Sequence, residues 1–142
     1  VERRRDLPGG ADVAFTLDVR EETTIVGDPA ALRSIVDNLL DNAVKYGGRD
    51  VAILVEPLDG FGLLRVTDDG MGFAAASADA LFTPFHRAAN AAGGRQGTGL
   101  GLHISRTLAR RMRGDVTASS PGEGQGARFD VRLPLADPSA PI

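Results

Sequence analysis

Between Asp28 and Gly48 runs a segment whose pattern demands an α-helix. Leu32, Ile35, Val36, Leu39, Leu40 and Ala43 recur with a period near 3.6, which gives one buried face. Asp28 is a residue type that caps a first turn, and Pro29 suits the first helical position, where its missing N–H costs nothing. Gly47-Gly48 stops the helix. Asn38, Asn42 and Lys45 form one stripe at i, i+4 and i+7, with Tyr46 next along the chain. Lys45 and Tyr46 are the only lysine and tyrosine in the chain. Two neutral amide oxygens and one ammonium suit a metal-chelated polyphosphate. Mg²⁺ takes oxygen ligands and borrows phosphates from its substrate, and Lys45 supplies a point charge for a phosphate oxygen. Taken alone, the stripe reads more readily as a solvated helix face than as a metal site.

The remaining elements supply what such a helix packs on. Residues 13–19 read as a strand, with a short one at 23–26. Residues 51–56 and 61–67 read as a hairpin joined by Leu58-Asp59-Gly60. Residues 99–112 repeat Leu100, Ile104, Leu108 and Met112 as a helix. Strands at 115–119 and 127–133 flank the glycine-rich turn Pro121-Gly122-Glu123-Gly124-Gln125-Gly126. Without a regular βαβ beat, this order predicts an α+β two-layer sandwich: a mixed, mostly antiparallel sheet of about five strands with about three helices on one face. Residues 1–10, beginning Val1-Glu2-Arg3-Arg4-Arg5, read as the end of an upstream helix and linker, with a solvated N-terminal charge run as the alternative. Residues 86–98 read as a loop, and the Pro-rich 136–142 as a disordered tail.

At 142 residues the chain is one domain's worth. Its lack of cysteine excludes disulfides and thiolate metal sites. A net charge of -3 argues against a general nucleic-acid binder. No apolar run is long enough for a membrane span or a signal peptide.

Two further motifs carry chemistry. Asp68-Asp69-Gly70-Met71-Gly72 follows a strand directly, where a carboxylate can accept a hydrogen bond from an exocyclic amine and the glycines let backbone approach a flat ring. A tight turn with solvated acids is the bland alternative. Gly70, Gly72 and Ala75 match G-x-G-x-x-A, but no Asp or Glu lies ~20 residues on to hold a ribose, so a Rossmann site is excluded. Gly97-Thr98-Gly99-Leu100-Gly101-Leu102 runs into a helix whose N-terminal amides favour phosphate. It is not a Walker loop.

In order, these motifs and the Phe82-x-x-Phe85 segment resemble the catalytic, ATP-binding domain of a bacterial two-component sensor histidine kinase, in the gyrase/Hsp90/histidine kinase/MutL superfamily with its Bergerat fold. The resemblance spans about residues 11 to 135. It implies ATP and Mg²⁺ as ligands, with Asn42, helped by Asn38, on the metal. Lys45 would approach the phosphates and Tyr46 would lie by the nucleotide. Asp68 would accept from the adenine amine, with Gly70 and Gly72 beside the ring. Gly97, Thr98, Gly99, Leu100 and Gly101 would meet the phosphates. Arg87 or Arg95 would reach the γ-phosphate, joining Asn38 and Lys45 as catalytic residues. His86, His103 and Ala127 depart from the family's usual residues, and none removes a metal or adenine contact.

In family members that hydrolyse ATP, a glutamate that activates water commonly stands where Asn38 is here. An asparagine cannot serve as that base, which favours phosphoryl transfer over hydrolysis. Neither His86 nor His103 lies in an acceptor context, so the acceptor histidine is expected in an upstream dimerisation domain. The expected partners are that domain and, indirectly, a response regulator, with no nucleic acid and no direct membrane contact. The fragment is expected to be a monomer, and the full protein a homodimer. The resemblance implies a cytoplasmic domain whose parent protein is open to membrane anchoring. An anti-sigma-factor type serine kinase and a nucleotide-free scaffold of the same fold remain the alternatives.

Overall fold

The computed structural model describes residues 2–6, 12–46, 49–83 and 101–136. A six-stranded sheet has the order β1-β2-β3-β4-β6-β5: β1 (Glu2–Asp6), β2 (Asp12–Val19), β3 (Asp50–Leu58), β4 (Phe61–Asp68), β5 (Asp115–Ser119) and β6 (Ala127–Pro134). Among the described residues only β2 and β3 run parallel, and the crossover between them carries α1 (Pro29–Tyr46). The described residues between β4 and β5 form two short 3-10 turns, Ala75–Ser77 and Asp79–Phe82, and the helix α2 (Gly101–Arg111). The expected α+β sandwich with a mixed, mostly antiparallel sheet is what forms.

Helix α1 starts as its sequence dictates. The Asp28 carboxylate accepts from the Ala30 N–H at 3.0 Å, satisfying one of the orphan donors of the first turn. Ile35, Leu39 and Ala43 are almost wholly buried along one stripe. They meet the side of the sheet that carries Val13, Val51, Val66, Phe129 and Val131, and α2 joins the same core through Ala109. Each fully buried Ile or Leu contributes about 1.5–3 kcal/mol. The β3–β4 hairpin closes through Asp59 (φ 52°) and Gly60 (φ 84°). Left-handed values at both positions define the turn that matches strand twist.

Period-two alternation sends β4 and β6 side chains to opposite sides. Asp68, Val66 and Leu64 share the helix-covered face with Ala127, Phe129 and Val131, their cross-strand partners. The opposite face is mixed: Leu63 is buried there, and Arg65 grips Asp130 through two hydrogen bonds of 2.8 and 3.2 Å. That contact holds the Arg65 pKa above its ordinary value.

Three expectations change. Residues 2–6, read from sequence as a helix end, form β1, antiparallel to β2, because the edge of β2 offers unpaired backbone groups. Residues 23–26 make a strap rather than a strand: Ile25 bridges Leu135, and the Val26 N–H reaches the Pro134 carbonyl at 2.9 Å before the chain turns into α1. Ala136 is tied to this strap through the Thr24 carbonyl at 2.8 Å, while 137–142, the rest of the expected tail, lie outside the described residues.

Leu39→Ala should lower unfolding stability by about 2–5 kcal/mol, read as a shifted denaturant midpoint at unchanged slope. A loss below about 1 kcal/mol would contradict the burial described for α1.

Candidate functional site

Helix α1 delivers the asparagine stripe to its C-terminal half. Asn38, Asn42 and Tyr46 are half-buried and Lys45 is exposed. The Asn38 side-chain nitrogen donates to the Gly101 carbonyl at 3.2 Å and to the Ser105 hydroxyl at 3.1 Å. A carbonyl can only accept, so the Asn38 nitrogen must be the end that bonds α2, while its oxygen stands 3.8 Å from where a Cβ on Gly101 would sit. Among the described residues no group of three or more His, Cys, Asp or Glu could hold a metal ion. A divalent cation here would therefore rely on amide oxygens and on its ligand's own oxygens, a donor set suited to Mg²⁺ carried by a polyphosphate.

The turn after β4 separates two adjacent acids. Asp68 is 7% exposed on the helix-covered side, and its Oδ1 accepts from the Gly70 N–H at 2.9 Å. Asp69 points the other way and caps the Asp50 N–H at 3.1 Å. Burial pushes the Asp68 pKa above the ordinary 3.8, against the opposing pull of the Gly70 and Ala127 amides, and the Asp69 charge adds to the rise. A shielded carboxylate of this kind can accept from an amine that arrives without its water.

Backbone contacts hold the turn on both sides. The Met71 N–H donates to the Tyr46 carbonyl at 3.0 Å, fastening the turn to the end of α1. The Gly126 N–H reaches the Gly70 carbonyl at 3.0 Å, and the Gly124 N–H reaches the Met71 carbonyl at 2.6 Å. Ser120 sits at the centre of this seam. Its hydroxyl accepts from the Phe73 N–H at 3.2 Å and lies 2.6 Å from the Gly126 carbonyl. Gly72 takes φ +57°, and a Cβ there would stand 2.5 Å from the Gly122 carbonyl oxygen. An open cleft of about 400 Å³ beside this seam is lined by Thr67, Ser119, Gln125 and Arg128 as well as Asp68. None of its lining residues comes from α1, so it is not the space that joins Asp68 to the asparagines.

Helix α2 holds a second cluster that motif reading does not reveal. The Arg106 guanidinium lies 4.4 Å from the centre of the buried Phe82 ring and 3.1 Å from Asp115. Burial alone would raise the Asp115 pKa, but hydrogen bonds from Arg106, the Val116 N–H and Arg110 together bring it below the ordinary value. Phe82 was legible as part of an aromatic pair; its cationic partner, 24 positions on (106 − 82), was not.

Asn38, Asn42, Lys45 and Tyr46 thus share one helix end, joined through Met71 to the turn bearing Asp68, Gly70 and Gly72. Gly101 opens α2 against Asn38. Arg87, Arg95, Gly97, Thr98, Gly99 and Leu100 lie outside the described residues, as do Phe85 and His86.

This two-layer fold matches the catalytic domains of histidine kinases. Residues 27–137 match the model of the histidine kinase-, DNA gyrase B- and HSP90-like ATPases, and the chain belongs to that family. It is 40% identical over 119 residues to the sensor protein TorS of Escherichia coli K12, covering 83% of this chain and 13% of TorS. It is 39% identical over 128 residues to the signal transduction histidine-protein kinase AfsQ2 of Streptomyces coelicolor, covering 90% of this chain and 24% of that protein. The chain therefore spans under a quarter of the length of these relatives. The mycobacterial sensor histidine kinase MprB superposes with a TM-score of 0.76 at 28% identity, covering 85% of this chain and 82% of that one. Full-length ShkA in complex with AMPPNP superposes at 0.73 and 32% identity, covering 90% of this chain and 27% of ShkA.

Gly72→Ala should destabilise the domain by about 1–3 kcal/mol, since it adds left-handed strain to a collision with carbonyl oxygens. Thermal unfolding reads the loss, and an unchanged midpoint would mean the turn is not fastened as described.

Proposed function

We propose that this domain binds Mg²⁺-ATP and donates the γ-phosphoryl group to a histidine in a dimerisation domain of the same protein, which then serves a response regulator. The observation that carries the reading is the joining of the shielded Asp68 carboxylate to the end of the asparagine helix through the Met71–Tyr46 hydrogen bond. It ties the turn that carries an amine acceptor to the helix that carries a row of amide oxygens. Asp68 takes the adenine amine, with Gly70 and Gly72 beside the ring and Tyr46 near the nucleotide. Asn42, with the Asn38 oxygen, holds the cation; Lys45 meets a phosphate oxygen. Gly97, Thr98, Gly99, Leu100 and Gly101 contribute phosphate contacts, with Arg87 or Arg95 at the γ-phosphate. The relatives' names and the nucleotide analogue bound to ShkA support the same reading.

The chemistry asks little covalent work of the protein. Transfer in line between two oxygen or nitrogen centres is promoted by positioning and by neutralising charge, and the bound Mg²⁺ supplies much of that neutralisation. Asn38 offers no general base for water, so hydrolysis is not favoured. The chain's two histidines do not serve as acceptor, and the domain works cytoplasmically beside its dimeric partner.

Calorimetric titration with a non-hydrolysable ATP analogue should give Mg²⁺-dependent binding. Asn42→Ala should weaken it by about tenfold or more, ~1.4 kcal/mol. Asp68→Asn should cost about 1.5–3 kcal/mol and erase the preference for adenine over guanine. No heat from the wild type with Mg²⁺ present would overturn the reading in favour of a scaffold. Incubated alone with labelled ATP, the domain should acquire no acid-labile phosphate.

The raised Asp68 pKa sets a pH dependence of opposite sign for binding and folding. The charged form accepts the amine, so affinity should fall on acidification, beginning at a pH above the ordinary 3.8. Folding favours the neutral form, so that contribution is complete below the unfolded pKa and lost as pH rises through the folded one. Binding measured against pH for wild type and Asp68→Asn tests this; a step that survives the substitution belongs to another group.

A further inference from the structure

Ser105 is a polar side chain with no exposure at all, inside a helix whose buried positions otherwise take alanine. Its hydroxyl accepts from the Asn38 amide at 3.1 Å, across 67 positions of sequence. The second Asn38 amide proton goes to the Gly101 carbonyl at 3.2 Å, one helical turn before Ser105. Gly101 alone decides which end of the amide faces α2, because two oxygens would repel there. One hydrogen bond, however, leaves the amide plane free to swing about that contact. A second, from the same nitrogen to Ser105, fixes the plane.

We propose that Ser105 is a positioning residue that locks the Asn38 amide so that its oxygen is presented to the nucleotide-borne cation. This rests on the Mg²⁺-ATP reading and deepens it. Asn38 has both amide protons committed to α2, so its oxygen is the atom left for a ligand. Asn38 is therefore preset by α2 before a ligand arrives. Removing the Ser105 hydroxyl leaves Asn38 with one tether, and cation binding then has to order its amide plane.

The test compares affinity for a non-hydrolysable ATP analogue with Mg²⁺ and with EDTA, in wild type, Ser105→Ala, Asn38→Ala and the double variant. Ser105→Ala should shrink the Mg²⁺-dependent gain in affinity by about three- to tenfold while leaving the EDTA affinity nearly unchanged, with the thermal midpoint lowered by about 2–4 °C for the lost hydrogen bond. On the Asn38→Ala background the same substitution should have no further effect on that gain. If Ser105→Ala does not fold, Ser105→Cys keeps the site filled with a somewhat larger, weakly accepting sulfur and should show the same selective loss. An equal loss with and without Mg²⁺, or an additive double variant, overturns the positioning role. Absence of Mg²⁺-dependent binding in the wild type is a different result: it removes the nucleotide reading itself.

Discussion

The hydrogen bond from the Met71 N–H to the Tyr46 carbonyl is the contact on which the site depends. Tyr46 ends α1, and its carbonyl is one of the last-turn acceptors that a helix cannot satisfy internally. The Asp-Gly turn supplies the missing donor. A helix end and a strand end that must each find hydrogen-bond partners find them in one another. The same closure brings the asparagine stripe beside Asp68. Position and polar satisfaction are therefore met by one bond, and the glycines at 72 and 126 let the backbones come close enough to make the others around it.

A second set of contacts ties α2 to its neighbours. Arg106 is caught between the Phe82 ring and Asp115, so it links α2 to the 3-10 turn ending at Phe82 and to strand β5. Desolvated partly on both faces, such a cation gains more from the ring and the carboxylate than an exposed pair would. The depressed Asp115 pKa shows that its charged form is the one the fold favours. Its contribution is present above the unfolded pKa and is lost as pH falls through the folded one. Asn38 then couples this unit to α1 through Gly101 and Ser105.

What was legible in the sequence follows the range of each interaction. Helix α1 is written locally, in Asp28, Pro29 and the 3.6 repeat, and the hairpin is written in Asp59-Gly60. The inward direction of Asp68 was also available, since it shares the alternation of Val66 and Leu64, whereas Asp69 does not. Strand β1 was not legible, because its arginine run has no alternation and its structure depends on the edge of β2. Ser105 looks like any small residue on a helix until Asn38 is set against it. Ser120 likewise reads as a turn residue, and only the approach of Phe73, Gly122 and Gly126 shows it as the centre of a seam. Local rules carry the elements; the partners that orient the site are reached only through the fold.

On the Mg²⁺-ATP reading proposed above, Asp68 and Asn38 are polar atoms prepared for a ligand in two different ways. Asp68 is prepared by burial: its charged form is disfavoured before anything binds, and an amine donor relieves that cost. Asn38 is prepared by tethering: its nitrogen is fully used, so its oxygen has one direction left. The first concentrates selectivity, because a base without a donor leaves the carboxylate unpaired. The second lowers the ordering cost of binding a cation with neutral oxygens, which hold it less strongly than carboxylates would. A polyphosphate that brings its own negative charge needs no more than that, and additional carboxylates beside it would repel it. In that reading the amide oxygens on α1, with the Lys45 ammonium beside them, and the buried acid on the adjoining turn are complementary answers to one ligand, charged at its phosphates and neutral at its base.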